Sequence, residues 1–242
     1  MQNVILEIIE NTPVNHDTFL MKLSGDLSSI KNSGEFVEIK LDGYYLRRPI
    51  SVCDFNENEL TLLYKVLGHG TKDMSTYKVG TKLDCLVGLG NGFDITKSQK
   101  PLLVAGGIGI APLLGLAKRF NERGIKPTLV YGAAKDVDLV LISELKKYTD
   151  LYLTTDDGSL GYKGNTVMFL KENNIDFDYY YACGPQVMLK YLAQYNSSGC
   201  VSLEARMGCG FGACMGCSIM TTNGVKRVCK EGPVFEASEV IF

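Results

Sequence analysis

Along the first hundred residues, apolar and polar positions alternate in short runs. V-I-L-E-I-I, T-F-L-M-K-L, E-F-V-E-I-K-L, R-P-I-S-V-C, E-L-T-L-L-Y-K-V and K-L-D-C-L-V-G are apolar or alternating and carry β-branched residues. Gly, Asn, Asp and Ser lie between them. A period of two bounded by turn formers reads as strand, and strands at this spacing predict a small six-stranded antiparallel barrel.

From Lys100 the pattern changes. P-L-L-V-A-G-G is a buried strand running into a glycine turn, and A-P-L-L-G-L-A-K-R-F-N-E-R-G follows as an amphipathic helix. P-T-L-V-Y-G-A, L-Y-L-T-T-D-D-G and D-Y-Y-Y-A-C-G read as further strands. D-L-V-L-I-S-E-L-K-K-Y, N-T-V-M-F-L-K-E-N-N and P-Q-V-M-L-K-Y-L-A-Q-Y-N read as helices between and after them, and C-V-S-L-E-A as a last strand. Strands alternating with helices predict a parallel sheet covered on both faces. The end of the chain has many Gly and Cys and little periodicity, and reads as held by a ligand rather than by a core. The predicted architecture is therefore multidomain β plus α/β: a barrel over 1–97, a parallel α/β domain over 98–204 and a small C-terminal domain over 205–242.

Composition narrows the function. At a formal net charge of -2, bulk electrostatics imply neither nucleic acid nor an anionic membrane as partner. The N-terminal residues lack a basic region, and Glu7 and Glu10 interrupt their apolar run, so a signal peptide is not expected. No apolar stretch reaches the length of a membrane span. A cytoplasmic protein is expected. His16 and His69 stand alone and read as surface or structural residues, and no nucleophile or general base stands out.

The chain has 8 cysteines, unevenly placed. Cys53, Cys85, Cys183 and Cys200 are scattered and read as small buried hydrophobes. Cys209, Cys214, Cys217 and Cys229 fall close together as C-G-F-G-A-C-M-G-C and one later partner. The spacing C-x4-C-x2-C…C is that of plant-type [2Fe-2S] centres. Gly208, Gly210, Gly212 and Gly216 free the backbone to turn thiolates inward and bring amide N–H groups near sulfur. T-T-N-G-V-K-R offers a hairpin, with Asn223-Gly224 as its turn signal. Zinc held by the same thiols, or inert thiols, are the alternatives. Zinc favours paired C-x2-C spacings, so iron–sulfur fits better.

Two strand–turn–helix junctions point to a nucleotide. Gly106-Gly107-Ile108-Gly109-Ile110-Ala111-Pro112 follows a strand and opens a helix, where free N–H groups suit a pyrophosphate and Pro112 fits the first turn. It is not the G-x-G-x-x-G fingerprint. Cys183-Gly184-Pro185 repeats the arrangement at the same edge of the sheet, where α/β folds bind ligands. Thr154, Asp156 and Asp157 end another strand there, within reach of a ribose, and the two acids serve equally as turn residues. On the barrel, Arg47-Arg48-Pro49-Ile50-Ser51 can clamp a phosphate and hydrogen-bond a heterocycle, though a basic pair on a strand is usually a solvated face. Gly88-Leu89-Gly90-Asn91-Gly92-Phe93 closes the barrel segment.

A barrel with R-P-I-S, then G-G-I-G-x-A-P, then C-G-P, resembles the ferredoxin–NADP reductase superfamily. The tail E-A-R-M-G-C-G-F-G-A-C-M-G-C narrows the resemblance to the electron-transfer subunits of NAD-dependent (type B) dihydroorotate dehydrogenases, and it covers essentially the whole chain. The resemblance implies that Arg48, Pro49, Ile50 and Ser51 bind FAD, Arg48 near its pyrophosphate and Ser51 near the flavin ring. It implies that Leu63, Tyr64, Lys65, Gly70 and Thr71 complete that site. Gly106, Gly107, Gly109 and Pro112, with Cys183, Gly184 and Pro185, would face the nicotinamide nucleotide NAD(H). Cys209, Cys214, Cys217 and Cys229 would hold the [2Fe-2S] cluster. A Glu at Gly109 is then expected to block the nucleotide and spare the flavin. The one departure is a hairpin between Cys217 and Cys229 that is shorter than the family pattern.

Electron counting orders the cofactors. A nicotinamide gives two electrons as hydride, a [2Fe-2S] cluster takes one, and a flavin handles both, so FAD stands between them. By the same resemblance, dihydroorotate is oxidised on an FMN-containing catalytic subunit, in a heterotetramer of two copies of each chain. The competing readings are the reductase subunit of a related complex, such as a sulfide dehydrogenase or ferredoxin:NADP oxidoreductase, and a zinc-stabilised binding module. NADH and NADPH both remain open from the sequence.

Overall fold

In the computed structural model, which describes residues 1–242, the alternating segments close a six-stranded antiparallel barrel. Its strands are β1 (Gln2–Pro13), β2 (Thr18–Ser24), β3 (Phe36–Ile39), β4 (Arg48–Phe55), β5 (Leu60–Lys65) and β6 (Lys82–Leu89). They pair in the order β1-β2-β5-β4-β3-β6, and β6 returns to β1. The period of two decides which side faces in: Val4, Leu6 and Ile8 are buried while Ile5 and Glu7 are exposed. Leu83, Cys85 and Val87 meet them from β6 in one core. A short helix α1 (His69–Met74), which the alternation does not announce, buries Met74 in that core.

The second sheet is built from β7 (Pro101–Gly106), β8 (Thr128–Ala133), β9 (Asp150–Thr155), β10 (Tyr162–Lys163), β11 (Tyr179–Cys183) and β12 (Gly199–Ser202). These six are parallel. β7 and β11 are buried at every position, as strands covered on both faces must be. The covering helices are α2 (Ala111–Glu122), α3 (Ile142–Tyr148), α4 (Thr166–Glu172) and α5 (Gln186–Tyr195). α3 is shorter than its periodicity predicts. Leu139 and Val140 are drawn into the core, Leu141 adopts φ 59°, and the helix starts only after them.

Barrel and sheet share a core. Cys53, Leu63 and Phe93 pack with Leu113, Leu116, Ala117 and Phe120 of α2. Gly115 permits this approach, because a Cβ there would stand 2.6 Å from the Cys53 carbonyl oxygen. Lys118 Nζ clips the same contact to Asp54 at 2.7 Å.

The C-terminal segment has a small core after all, contrary to its sequence reading. Cys217, Val228, Cys229 and Phe235 pack with Phe36 and Leu89 of the barrel. The chain forms the hairpin β13 (Ser218–Thr221) and β14 (Gly224–Arg227), then returns as β15 (Val234–Glu236), antiparallel to β12 at the edge of the large sheet. The hairpin turns at Thr222-Asn223, because Gly224 already pairs with Thr221; the expected Asn223-Gly224 turn is displaced by one residue. Asn91 stitches the barrel to this return. Its amide donates to the Glu231 and Val234 carbonyls at 3.0 and 2.7 Å, and its Oδ1 accepts from Val234 N–H at 3.1 Å. No helix is long and apolar enough to cross a membrane.

Candidate functional site

A groove of about 250 Å³ runs between the barrel and the sheet. β4 and β5 bring Pro49, Ile50, Ser51, Leu63, Tyr64 and Lys65 to one wall, and Thr71 joins from α1. The other wall carries Pro112 and Cys183, both expected on the nicotinamide side, and Glu204 at the open edge. Burial, with the Glu204 carboxylate beside it, pushes the Cys183 thiol up to about 12 and keeps it neutral.

The two arginines of the barrel motif part company. Arg47 donates to the Asp84 carbonyl at 2.7 Å and pairs with its carboxylate at 2.9 Å, so it is a structural residue. Arg48 has no carboxylate partner. Its guanidinium stacks 4.6 Å from the Tyr44 ring centroid and lies across the first turn of α1. Gly70 makes room for it, since a Cβ there would meet Arg48 Nε at 2.5 Å. Its Nη1 donates to the Leu46 carbonyl at 2.5 Å, and a guanidinium left without a counter-charge above a glycine fits the pyrophosphate of a bound dinucleotide.

Beyond the groove lies a cavity of about 660 Å³ at the carboxyl ends of β7, β8, β9 and β11. Gly106, Gly107 and Pro185 line it, with Thr154, Asp156 and Thr166. Gly107 stands at φ +54° with open space where a Cβ would be. Gly132 lacks the Cβ that would strike Thr154 Oγ1 and Thr166 Cγ2 at 2.7 Å. The Thr154 and Thr166 hydroxyls are buried without a hydrogen-bond partner, which suits a polar ligand. Gly109 and Gly184 line neither space. A Cβ on Gly109 would lie 2.3 Å from the Cys183 carbonyl oxygen, and one on Gly184 2.9 Å from Gly106 N, so both let the two turns close on each other. Lys65, held by Asp17 at 2.8 Å, borders groove and cavity alike. Asp157 turns away to Ser159 as a turn residue.

The clustered thiols form two pairs. Cys217 and Cys229 stand 3.2 Å apart, sulfur to sulfur. The Ala213 and Cys214 N–H groups point at Cys209 Sγ, at 3.2 and 3.5 Å. Burial opposes ionisation of Cys209, but the N–H groups of Cys214, Phe211 and Ala213 and the Cys214 thiol outweigh it and lower it to about 6. Burial pushes Cys229 up to about 12, with the Cys217 thiol adding to it. No three Cys, His, Asp or Glu side chains gather as a single metal ion needs. Four thiols with N–H donors aimed at sulfur suit a two-iron cluster, which Cys209, Cys214, Cys217 and Cys229 would hold. Gly208 and Gly216 stand over Cys214, where a Cβ would come within 3.2 and 3.5 Å of its sulfur. Met215 between them holds φ 60°, a rare conformation for a side-chain residue.

The sequence reading missed Glu38. It is 1% exposed, both its oxygens lack a partner, and Gly210 of the cysteine loop covers it. Burial raises it to about 7, against the pull of Arg47 and Arg48 and with a push from Cys209. The available signal was a Glu inside the otherwise apolar strand F-V-E-I. The four scattered cysteines are buried, as expected, and His69 is exposed.

Comparison with known proteins agrees with this geometry. A family model described as the iron-sulfur cluster binding domain of dihydroorotate dehydrogenase B matches residues 204–241. The dihydroorotate dehydrogenase B (NAD(+)) electron transfer subunit of Fusobacterium nucleatum subsp. nucleatum is 42% identical over 96% of this chain and 95% of its own. The subunit of the same name from Streptococcus mutans serotype c is 38% identical over 98% and 97%. A chain from a structure of NADH-dependent reduced ferredoxin-NADP oxidoreductase superposes with TM-score 0.88 at 30% identity, covering 98% of this chain and 89% of that one. Fold and site thus define a flavin- and nicotinamide-dependent oxidoreductase of the ferredoxin–NADP reductase type that ends in an iron–sulfur segment. Within that class the chain belongs to the family of dihydroorotate dehydrogenase B electron transfer subunits.

Proposed function

We propose that the chain carries electrons between NAD(H) and the FMN-containing catalytic subunit of a dihydroorotate dehydrogenase, and so serves the oxidation of dihydroorotate to orotate in pyrimidine biosynthesis. One observation carries this reading: the three sites form a row. Lys65 borders both cavity and groove, and Phe36 lines the groove while packing with Cys217 and Cys229. Bound FAD supplies the exchange between a two-electron hydride and single electrons.

The chain's own residues orient and exclude. Arg48, over Gly70 and beside Thr71, holds the flavin dinucleotide's pyrophosphate. Pro49, Ile50 and Ser51 present the strand edge and a hydroxyl to the ring, and Leu63, Tyr64 and Lys65 complete the wall. Pro112 and Cys183 close the opposite side with uncharged groups. Gly106, Gly107 and Pro185 face the nicotinamide nucleotide, while Gly109 and Gly184 fix the spacing of its two turns. Cys209, Cys214, Cys217 and Cys229 hold the [2Fe-2S] cluster. The domains are assigned as 1–97, 98–204 and 205–242, with Val234–Glu236 lent back to the sheet. The family name of the relatives supports a catalytic partner, here placed in a heterotetramer of two and two, and unpaired buried thiols support a cytoplasmic setting.

Anaerobically purified protein is expected to contain one FAD per chain and equal amounts of iron and acid-labile sulfide. Mixing it with the FMN-containing subunit should give NAD-linked dihydroorotate oxidation that neither shows alone. Zinc without labile sulfide, or no gain on mixing, overturns the proposal.

A further inference from the structure

The short hairpin between Cys217 and Cys229 must still hold Cys229 against the loop that bears Cys209 and Cys214. One side chain spans the gap. Arg227, the last residue of β14, donates from Nη1 to the Gly212 carbonyl oxygen at 2.6 Å. The same guanidinium grips Glu231, with Nε 3.0 Å from Oε2 and Nη2 bonded to Oε1. Glu231 Oε2 also accepts the Arg227 backbone N–H at 2.7 Å, so the pair brackets Val228-Cys229-Lys230. Gly212 is what admits the contact. It stands at φ +93°, and a Cβ there would press on Lys230 at 3.0 Å and on Arg227 Nη1 at 3.2 Å. The Cys229 and Cys217 thiols lie within reach of the guanidinium's charge.

We propose that Arg227 is a positioning residue for the iron–sulfur segment. Through the Gly212 carbonyl it sets the loop of Cys209 and Cys214 against the turn of Cys229, and its charge, moderated by Glu231, tunes the reduction potential of what those thiolates hold. The proposal rests on the cluster reading above. A planar fork with several donors can bind a carboxylate and a carbonyl at once, which an ammonium cannot do with the same geometry. Reduction adds negative charge to a cluster, so a nearby fixed cation favours the reduced form, and removing it favours the oxidised one.

The test uses the full chain, purified anaerobically with its cofactors. Arg227→Met, Arg227→Lys and Glu231→Gln are compared by iron and labile sulfide content, by electron paramagnetic resonance of the reduced protein, and by redox titration. Arg227→Met should retain cluster, shift its midpoint to more negative potential and alter its resonance line shape. Arg227→Lys should restore the potential but not the line shape. Glu231→Gln should shift the potential the opposite way, because the carboxylate that offsets the guanidinium is gone. Wild-type potential and line shape in Arg227→Met overturn the proposal. If that variant assembles no cluster, an unshifted or more negative potential in Glu231→Gln overturns it. Wild-type protein without labile sulfide would instead refute the cluster reading, and is seen before any variant is made.

Discussion

Gly109 and Cys183 are in contact across the two turns of the large sheet, so close that a Cβ on Gly109 would meet the Cys183 carbonyl oxygen at 2.3 Å. A Glu at Gly109 therefore strikes backbone rather than reaching a ligand, and the selective block expected from sequence does not follow. Gly109→Ala should already force the turns apart and cost about 1–3 kcal/mol through overpacking. Because Cys183 lines the flavin groove and Gly106 the nucleotide cavity, flavin retention and NADH-driven reduction should fall together. Retained flavin content and unchanged melting temperature in Gly109→Ala would contradict this.

Arg47 and Arg48 should separate cleanly. Arg48→Met removes a guanidinium that no carboxylate neutralises, held only by the Leu46 carbonyl and the Tyr44 ring, and should weaken flavin retention roughly 10- to 100-fold, the range of a lost charge-assisted hydrogen bond. Arg47→Met breaks the Asp84 contacts and should lower the melting temperature while leaving flavin affinity near wild type. Flavin-binding titrations and thermal scans on both variants decide it; equal effects on affinity would sink the assignment.

Glu38 should make stability depend on pH. Burial raises its folded-state pKa from 4.5 to about 7. Below 4.5 both states are protonated and nothing is lost. As pH rises toward 7 the unfolded chain releases a proton that the folded chain keeps, so stability falls and then levels off. The total is at most roughly 3 kcal/mol. Glu38→Gln should abolish the decline, so its melting temperature should exceed wild type by a margin that grows from pH 5 to pH 8. A constant margin would show that Glu38 is already ionised in the fold.

Cys214→Ala should lose the cluster and little else. Cys214 belongs to none of the hydrophobic cores and is exposed on its loop. Flavin content and stopped-flow reduction by NADH should stay near wild type, while labile sulfide and NAD-linked dihydroorotate oxidation with the catalytic subunit disappear. Wild-type coupled activity without a cluster would rule out the proposed electron route.

Much of this was legible along the chain. The period of two in β1 and β6, the all-apolar runs of β7 and β11 and the spacing of Cys209, Cys214, Cys217 and Cys229 are local properties. Backbone geometry and thiolate chemistry fix their meaning wherever the segment lies. The same holds for the glycine turn before α2, which must follow a strand and open a helix to work at all.

Other features needed the folded molecule. Arg47 and Arg48 are adjacent and chemically identical, and only the placement of Asp84 on β6 makes one structural and frees the other. Leu139 and Val140 fit a helix by period, yet burial against the shared core pulls them out of it. β15 is too short to signal itself and exists because β12 offers an unpaired edge. Glu38 lies beneath Gly210, and Arg227 reaches Gly212, because the tail folds back over the barrel. Sequence thus determined most of the strands and helices and the grouping of four cysteines near the end of the chain. Tertiary packing decided which side chains face a ligand, because contacts between residues far apart in the chain have no local pattern to announce them.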